Sequence, residues 1–330
     1  MDLSKVDTLV FGGAGSLARR VLQILSRLEH SKHLDMSQVK SYAGTSSGAM
    51  IAVGLCCGFS VGDVIRLHGD IIERKCFDAG YVERLLNWYR GYGALSLDKL
   101  VDVMIEYCLT LSKSLLNKQT TFKQLYLETQ KDLFLTGTNL TELRCEIFSH
   151  YTTPDMPVLD AMVISMSAIP WFGCVHRNGK TYIDGGFTQL YPMKIFLEPA
   201  TIFEQFDDRT KYNCDYVNLN NPQSDNEKIF PEYKYGYVYQ NSILKKPEQL
   251  FGILVNSYRS IETNSTQNML YALCSLASVS SFTSASEEAL NRSVIVNNNN
   301  LNSFDFTPEG LAQFKTLGDE TFDKWFAPRS

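Results

Sequence analysis

The chain has 330 residues, 44% of them hydrophobic and 20% charged, with a formal net charge of −5. This is the composition of a soluble globular protein, long enough for one large domain or two small ones. The acidic balance argues against a nucleic-acid binder, which needs a basic face, and gives no overall attraction to anionic membranes.

The start, Met1-Asp2-Leu3-Ser4-Lys5, carries no signal-peptide pattern and reads as cytosolic. Residues 6–11 read as a buried strand. Gly12, Gly13, Ala14 and Gly15 follow, and residues 17–28 then carry helical spacing. A small-residue loop opening a helix presents unpaired backbone N–H groups, which suit a negative charge. One such charge is the oxyanion of an acyl-transfer intermediate. The other is a dinucleotide pyrophosphate, because residues 13–18 also fit G-x-G-x-x-A. The dinucleotide pattern wants an acidic residue closing the next strand. Here that strand, over residues 39–43, runs into Gly44 instead, so the oxyanion reading is favoured.

Gly44-Thr45-Ser46-Ser47-Gly48 fits the Gly-x-Ser-x-Gly pattern of a nucleophile elbow, where a strand turns sharply into a helix. The apolar residues 49–55 supply the helix. A bare match of this kind also occurs in ordinary loops. Beyond it, residues 82–90, 97–107 and 122–130 read as helices packed on one face of a sheet.

Residues 181–183 form a short strand that runs into Asp184-Gly185-Gly186. Asp-Gly is a favoured hairpin turn. It also suits an aspartate at a strand end, where it can serve as base to a serine hydroxyl. None of the five histidines, His30, His33, His68, His150 and His176, follows Asp184. Only one strand and one helix precede the elbow. Both facts disfavour a Ser-His-Asp triad and leave a Ser46–Asp184 dyad as the economical arrangement.

With these residues in place, the chain resembles the patatin-like phospholipases, lipid acyl hydrolases with a Ser-Asp dyad. Gly44-Thr45-Ser46-Ser47-Gly48-Ala49 is similar to the family's nucleophile turn, and Asp184-Gly185-Gly186, with Pro192 after it, to its D-G-G turn. Leu135-Thr136-Gly137-Thr138-Asn139-Leu140 resembles its mid-domain strand. Residues 164–172 resemble its small-residue segment with a proline and aromatics, and residues 304–309 its closing elements. The resemblance implies a three-layer α/β/α fold with a central, mostly parallel sheet. It implies a single domain over 1–330, with a core over 5–200 and a variable region plus closing helices over 201–330. It makes Ser46 the nucleophile, Asp184 its base, and the amides of Gly12, Gly13, Ala14 and Gly15 the oxyanion hole. The family's glycine loop carries an Arg or Lys, whereas residues 11–15 here hold none, and Arg19 and Arg20 come a turn later. A catalytically weak or inactive lipid- or protein-binding relative is therefore the alternative.

The implied substrate is a phospholipid or other acyl lipid, cleaved in phospholipase A or lysophospholipase fashion, with peripheral membrane contact through a cap around the site. A protein activator leaves no mark in the sequence. No cofactor and no metal are expected, since neither an acidic cluster nor a C-x-x-C is present among eight cysteines. Two uncharged stretches, residues 41–62 and 265–286, are long enough to span a bilayer. The first contains the elbow, whose backbone a bilayer would leave unsatisfied, and the second is rich in Ser and Thr and reads as a buried helix. The tyrosine-rich tract over 222–246 reads as a structured loop. Asn297–Asn300 reads as a polar one, and Trp171 and Phe172 as core packing.

Overall fold

The computed structural model describes residues 2–73, 95–111, 115–169, 171–198, 243–256, 287–297 and 307–326. The sequence-expected helix over 82–90, the tyrosine-rich tract up to residue 242 and the helix over 265–286 lie outside the described residues. Among the described residues, a mixed sheet of eight strands forms the centre. β1 (Thr8–Phe11) lies between β2 (Ser41–Gly44) and β7 (Leu250–Asn256), parallel to both. β3 (Asp132–Asn139) runs parallel to β2, and β8 (Ser293–Asn297) parallel to β7. β4 (Arg144–Phe148) and β6 (Lys180–Asp184) pair with β3 antiparallel, and β5 (Val175–Arg177) closes a hairpin with β6. Four of the seven described pairings are therefore parallel, so the sheet is mostly parallel, as expected, with an antiparallel part where β4, β5 and β6 join it.

The inner strands are buried along their whole length, which is why they read as apolar runs rather than alternating ones. Successive side chains still go to opposite faces. Leu9, Phe11, Tyr42, Leu133 and Leu135 enter one core, and Val10, Ala43 and Phe134 the other. The larger core lies under α1 (Ala18–His30), α2 (Ser47–Cys56), α3 (Val61–Glu73), α4 (Asp98–Thr110), α5 (Phe122–Thr129), α6 (Val158–Met166) and α9 (Pro308–Phe326). The smaller core gathers Tyr191, Ile195 and Phe196 around the short α7 (Lys194–Leu197), and Ala289 of α8 (Glu287–Asn291).

Local chemistry explains the element ends. α1 buries Ala18, Val21, Leu22, Leu25 and Leu28, which recur at helical spacing on one face. α5 starts at a capping box, with Thr121 and Gln124 each accepting the other's backbone N–H. α2 is different: all ten of its residues are buried, so it carries no polar stripe. It is a central strut between the sheet and α6, and the elbow sits at its N-terminus. Asn297, read from the sequence as loop, is the last residue of β8. Phe172 is buried, and Trp171 is half-buried against the larger core, as expected for packing residues.

Candidate active site

Two turns meet at the carboxyl ends of the parallel strands, the edge at which open α/β sheets bind ligands. The first is the elbow. Gly44 ends β2, Thr45 bridges, and Ser46 precedes α2 with φ 56° and ψ −128°. That backbone is strained for any residue bearing a Cβ. Its N–H donates to the buried Ser165 hydroxyl on α6 at 3.0 Å. Both flanking glycines are steric necessities. A Cβ on Gly44 would overlap the Gly48 backbone, and one on Gly48 would overlap the carbonyls of Phe11 and Gly12. Ser46 itself is partly exposed, whereas Thr45 and Ser47 are buried.

The second turn follows β6. Asp184 is 3% exposed and passes directly into a 3-10 turn over Gly185–Phe187 rather than into a hairpin. Its Oδ1 accepts the Gly186 N–H at 2.7 Å. Gly185 lies so close to Thr136 of β3 that a Cβ would overlap it. Burial pushes the Asp184 carboxyl up to about 7, against the pull of the Ser46 hydroxyl and the Gly186 amide toward the ionised form. Oδ2 is buried and has no donor in full hydrogen-bonding geometry, so the serine is a neighbour that favours the carboxylate without yet capping it. The raised value makes the Asp184 carboxylate a stronger base than that of an ordinary aspartate.

The topology explains how residues so distant in sequence meet. β3 pairs with β2 through its first half and with β6 through its second. Gly44 lies opposite Leu135, and Asp184 opposite Gly137. Two residues of strand span about 7 Å, so the two turns leave the sheet side by side.

The glycine loop forms the third wall. The Gly12 N–H donates to the Ile253 carbonyl at 3.2 Å, the Gly13 N–H to Leu190 at 3.1 Å, and the Ala14 N–H to the Ser47 hydroxyl at 3.1 Å. Three of the four expected oxyanion amides thus already have acceptors. Among the described residues, those of Gly15, at φ 55°, and of Ser47, the first residue of α2, have none. Gly13 nonetheless lies against the Ser46 turn, since a Cβ there would sit 3.2 Å from Ser46 Cβ. The loop and the elbow are both tied to the segment after Asp184: Leu190 O accepts from Gly13 and Gln189 O from the Thr45 hydroxyl.

Arg19 and Arg20 serve elsewhere. Arg19 Nη1 donates to the Ile65 carbonyl of α3 at 3.1 Å, and Arg20 is buried and donates to Thr321 of α9 at 2.8 Å. No histidine is a hydrogen-bonding partner of Ser46 or Asp184. His68 is buried, and His150 is stacked on Tyr126 with Tyr151 tilted against it; burial takes both imidazoles down to about 3. No group of side chains suited to a metal ion exists among the described residues, and no described helix is long and apolar enough to cross a membrane. The sequence reading missed Ser165, Ser47 as a partner of the glycine loop, and the receiving carbonyls of Gln189 and Leu190. Only Ser165 had a signal, as a small polar residue inside the apolar run of α6.

Comparison with known proteins places this arrangement in a family. The profile described as Patatin-like phospholipase matches residues 9–197, which include both turns and the glycine loop. Two curated viral proteins are similar to part of the chain. "Uncharacterized protein R571" of Acanthamoeba polyphaga mimivirus is 28% identical over 193 residues, covering 58% of this chain and 62% of its own. "Probable lipid hydrolase 463L" of Invertebrate iridescent virus 6 is 27% identical over 195 residues, covering 58% of this chain and 63% of its own. The matched region thus spans less than two thirds of either relative. Among solved structures, VipD from Legionella pneumophila superposes with a TM-score of 0.53 at 15% identity, covering 97% of this chain and 66% of that one, a likeness of fold alone. The chain belongs to the patatin-like phospholipase family.

Proposed function

We propose that this protein is a lipid acyl hydrolase that cleaves ester-linked fatty acids through an acyl-enzyme on Ser46, with Asp184 as the base. The observation that carries the reading is the pairing of a strained, partly exposed serine with a buried carboxylate whose second oxygen is uncapped. A carboxylate buried without a cation is costly to ionise, and such costs persist where chemistry uses them.

In the proposed reaction the Asp184 carboxylate takes the Ser46 hydroxyl proton as Oγ attacks the ester carbonyl. The same proton then passes to the departing alcohol oxygen. Water, deprotonated by Asp184, attacks the acyl-enzyme; the Ser46 Oγ–acyl bond breaks as Oγ takes that proton back from Asp184, and the fatty acid leaves. The amides of Gly15 and Ser47 are the oxyanion donors assigned here, helped by the positive end of α2. Gly12, Gly13 and Ala14 hold the loop in place. A carboxyl near 7 is well matched to general-base work at neutral pH. Phospholipids and lysophospholipids are the proposed substrate classes, reached from the membrane surface.

The test is a panel of mono- and diacyl lipids assayed with the parent and Ser46→Ala side by side. Fatty-acid release by the parent and none by a folded Ser46→Ala supports the reading; equal release by both refutes it. The engaged amides of Gly12, Gly13 and Ala14 favour a second reading, a binding module that retains the cleft but not turnover. A fluorophosphonate probe separates the two, because an adduct at Ser46 requires a reactive serine.

A further inference from the structure

We infer that Thr136 and Thr138, two residues apart on β3, are positioning residues that set the distance between Ser46 and Asp184; this rests on the dyad proposed above. Both hydroxyls are buried, and alternation along a strand puts them on the same face of β3. Thr136 Oγ1 is 2.7 Å from Thr45 Oγ1, next to the nucleophile. Thr138 Oγ1 donates to the Asp184 carbonyl at 2.8 Å. One strand therefore grips each of the two turns by one hydroxyl.

The donor directions follow from counting protons. A threonine hydroxyl has one proton to give. Thr45 gives its own to the Gln189 carbonyl at 2.9 Å, so in the Thr45–Thr136 pair Thr136 is the donor. Thr138 gives its proton to the Asp184 carbonyl, so Thr188, 2.9 Å away, donates to Thr138. Each of the two hydroxyl chains, Thr136 to Thr45 to the Gln189 carbonyl and Thr188 to Thr138 to the Asp184 carbonyl, has a single direction and no slack. Buried and satisfied, such a network fixes one geometry rather than several. Thr136 also backs onto Gly185, the residue after the base, so a shift at either turn is felt at the other.

The experiment compares Thr138→Val, Thr136→Val and Thr138→Ser with the parent, each checked for fold by circular dichroism, using hydrolysis of a short-chain ester and fluorophosphonate capture at Ser46. Valine keeps the shape and removes the hydroxyl, whereas serine keeps the hydroxyl and removes a methyl. The expected result is a roughly tenfold or greater fall in kcat for each folded valine variant with KM within about twofold, and Thr138→Ser within about twofold of the parent, since an ångström of misplacement costs up to about 10² in rate. A folded valine variant with parental kcat overturns the inference. So does a Thr138→Ser variant with kcat as low as the valine variants or down tenfold on its own, which keeps the question answerable if valine is not tolerated at either site. A parent that captures the probe at Ser46 while the valine variants match it sinks this inference alone. A parent that neither hydrolyses nor captures the probe sinks the dyad reading and this inference together.

Discussion

Ser46 occupies backbone space that favours glycine, and this separates stability from function at one position. Ser46→Gly is expected to abolish hydrolysis and to stabilise the fold by about 1 kcal/mol through relief of the strained φ, read as a higher midpoint in urea unfolding. Asp184 makes a parallel case through pH. Its folded pKa, near 7, lies above the unfolded value of an ordinary carboxyl. The protonated form therefore stabilises the fold below the unfolded pKa, and this contribution is lost as pH rises through about 7. Asp184→Asn removes that loss. Its melting temperature should exceed the parent's by a few degrees at pH 8 and match it at pH 4. A constant difference across that range would show that the carboxyl does not titrate as its burial dictates. Ser165 holds the Ser46 amide, so Ser165→Ala should lower kcat about tenfold with little change in KM, measured by steady-state ester hydrolysis.

At the scale of elements, the elbow depends on how closely β2 returns beneath α2. Gly44→Ala would drive a Cβ into the Gly48 backbone, which no rotamer change relieves. A destabilisation of about 3 kcal/mol or more is expected, visible as loss of soluble protein or a collapsed melting temperature. Much of this region was legible in the sequence, because the constraints there are local. Glycines flanking a serine, a strand before and a helix after belong to one short segment. Asp184 at a strand end was legible for the same reason. Three things were not. The engagement of the Gly12 and Gly13 amides depends on carbonyls of Ile253 and Leu190, far along the chain. The raised carboxyl of Asp184 depends on burial, which a one-dimensional pattern does not carry. The antiparallel share of the sheet depends on β4 and β6 pairing with β3, and a short strand's direction is set by its connections rather than its composition.

For the whole molecule, the matched family region ends at residue 197, yet β1 is hydrogen-bonded on its far side to β7. The Gly12 amide is held by the same strand, and α9 packs along α1. There Arg27 pairs with Asp319 and Asp323 at 2.9 Å and lies over the Phe322 ring. Exposed ion pairs add little, so the buried Phe314 and Phe322 carry most of this contact. A protein ending at residue 198 would leave an edge of β1 unpaired and part of the larger core uncovered. It should be insoluble or molten, as judged by near-ultraviolet circular dichroism; a cooperatively folded, active fragment would show that the later strands are dispensable. The proposed dyad would also set a pH dependence for the molecule as a whole, because a carboxylate base works only when ionised.

The most direct test of that claim is the rate at which a fluorophosphonate is captured at Ser46, followed from pH 5 to pH 9 in the parent and in Asp184→Asn. The parent's rate should rise sigmoidally with a midpoint near 7, and the variant should be slower by orders of magnitude and flat. Capture that is absent in the parent, or equally fast in both proteins, would contradict it.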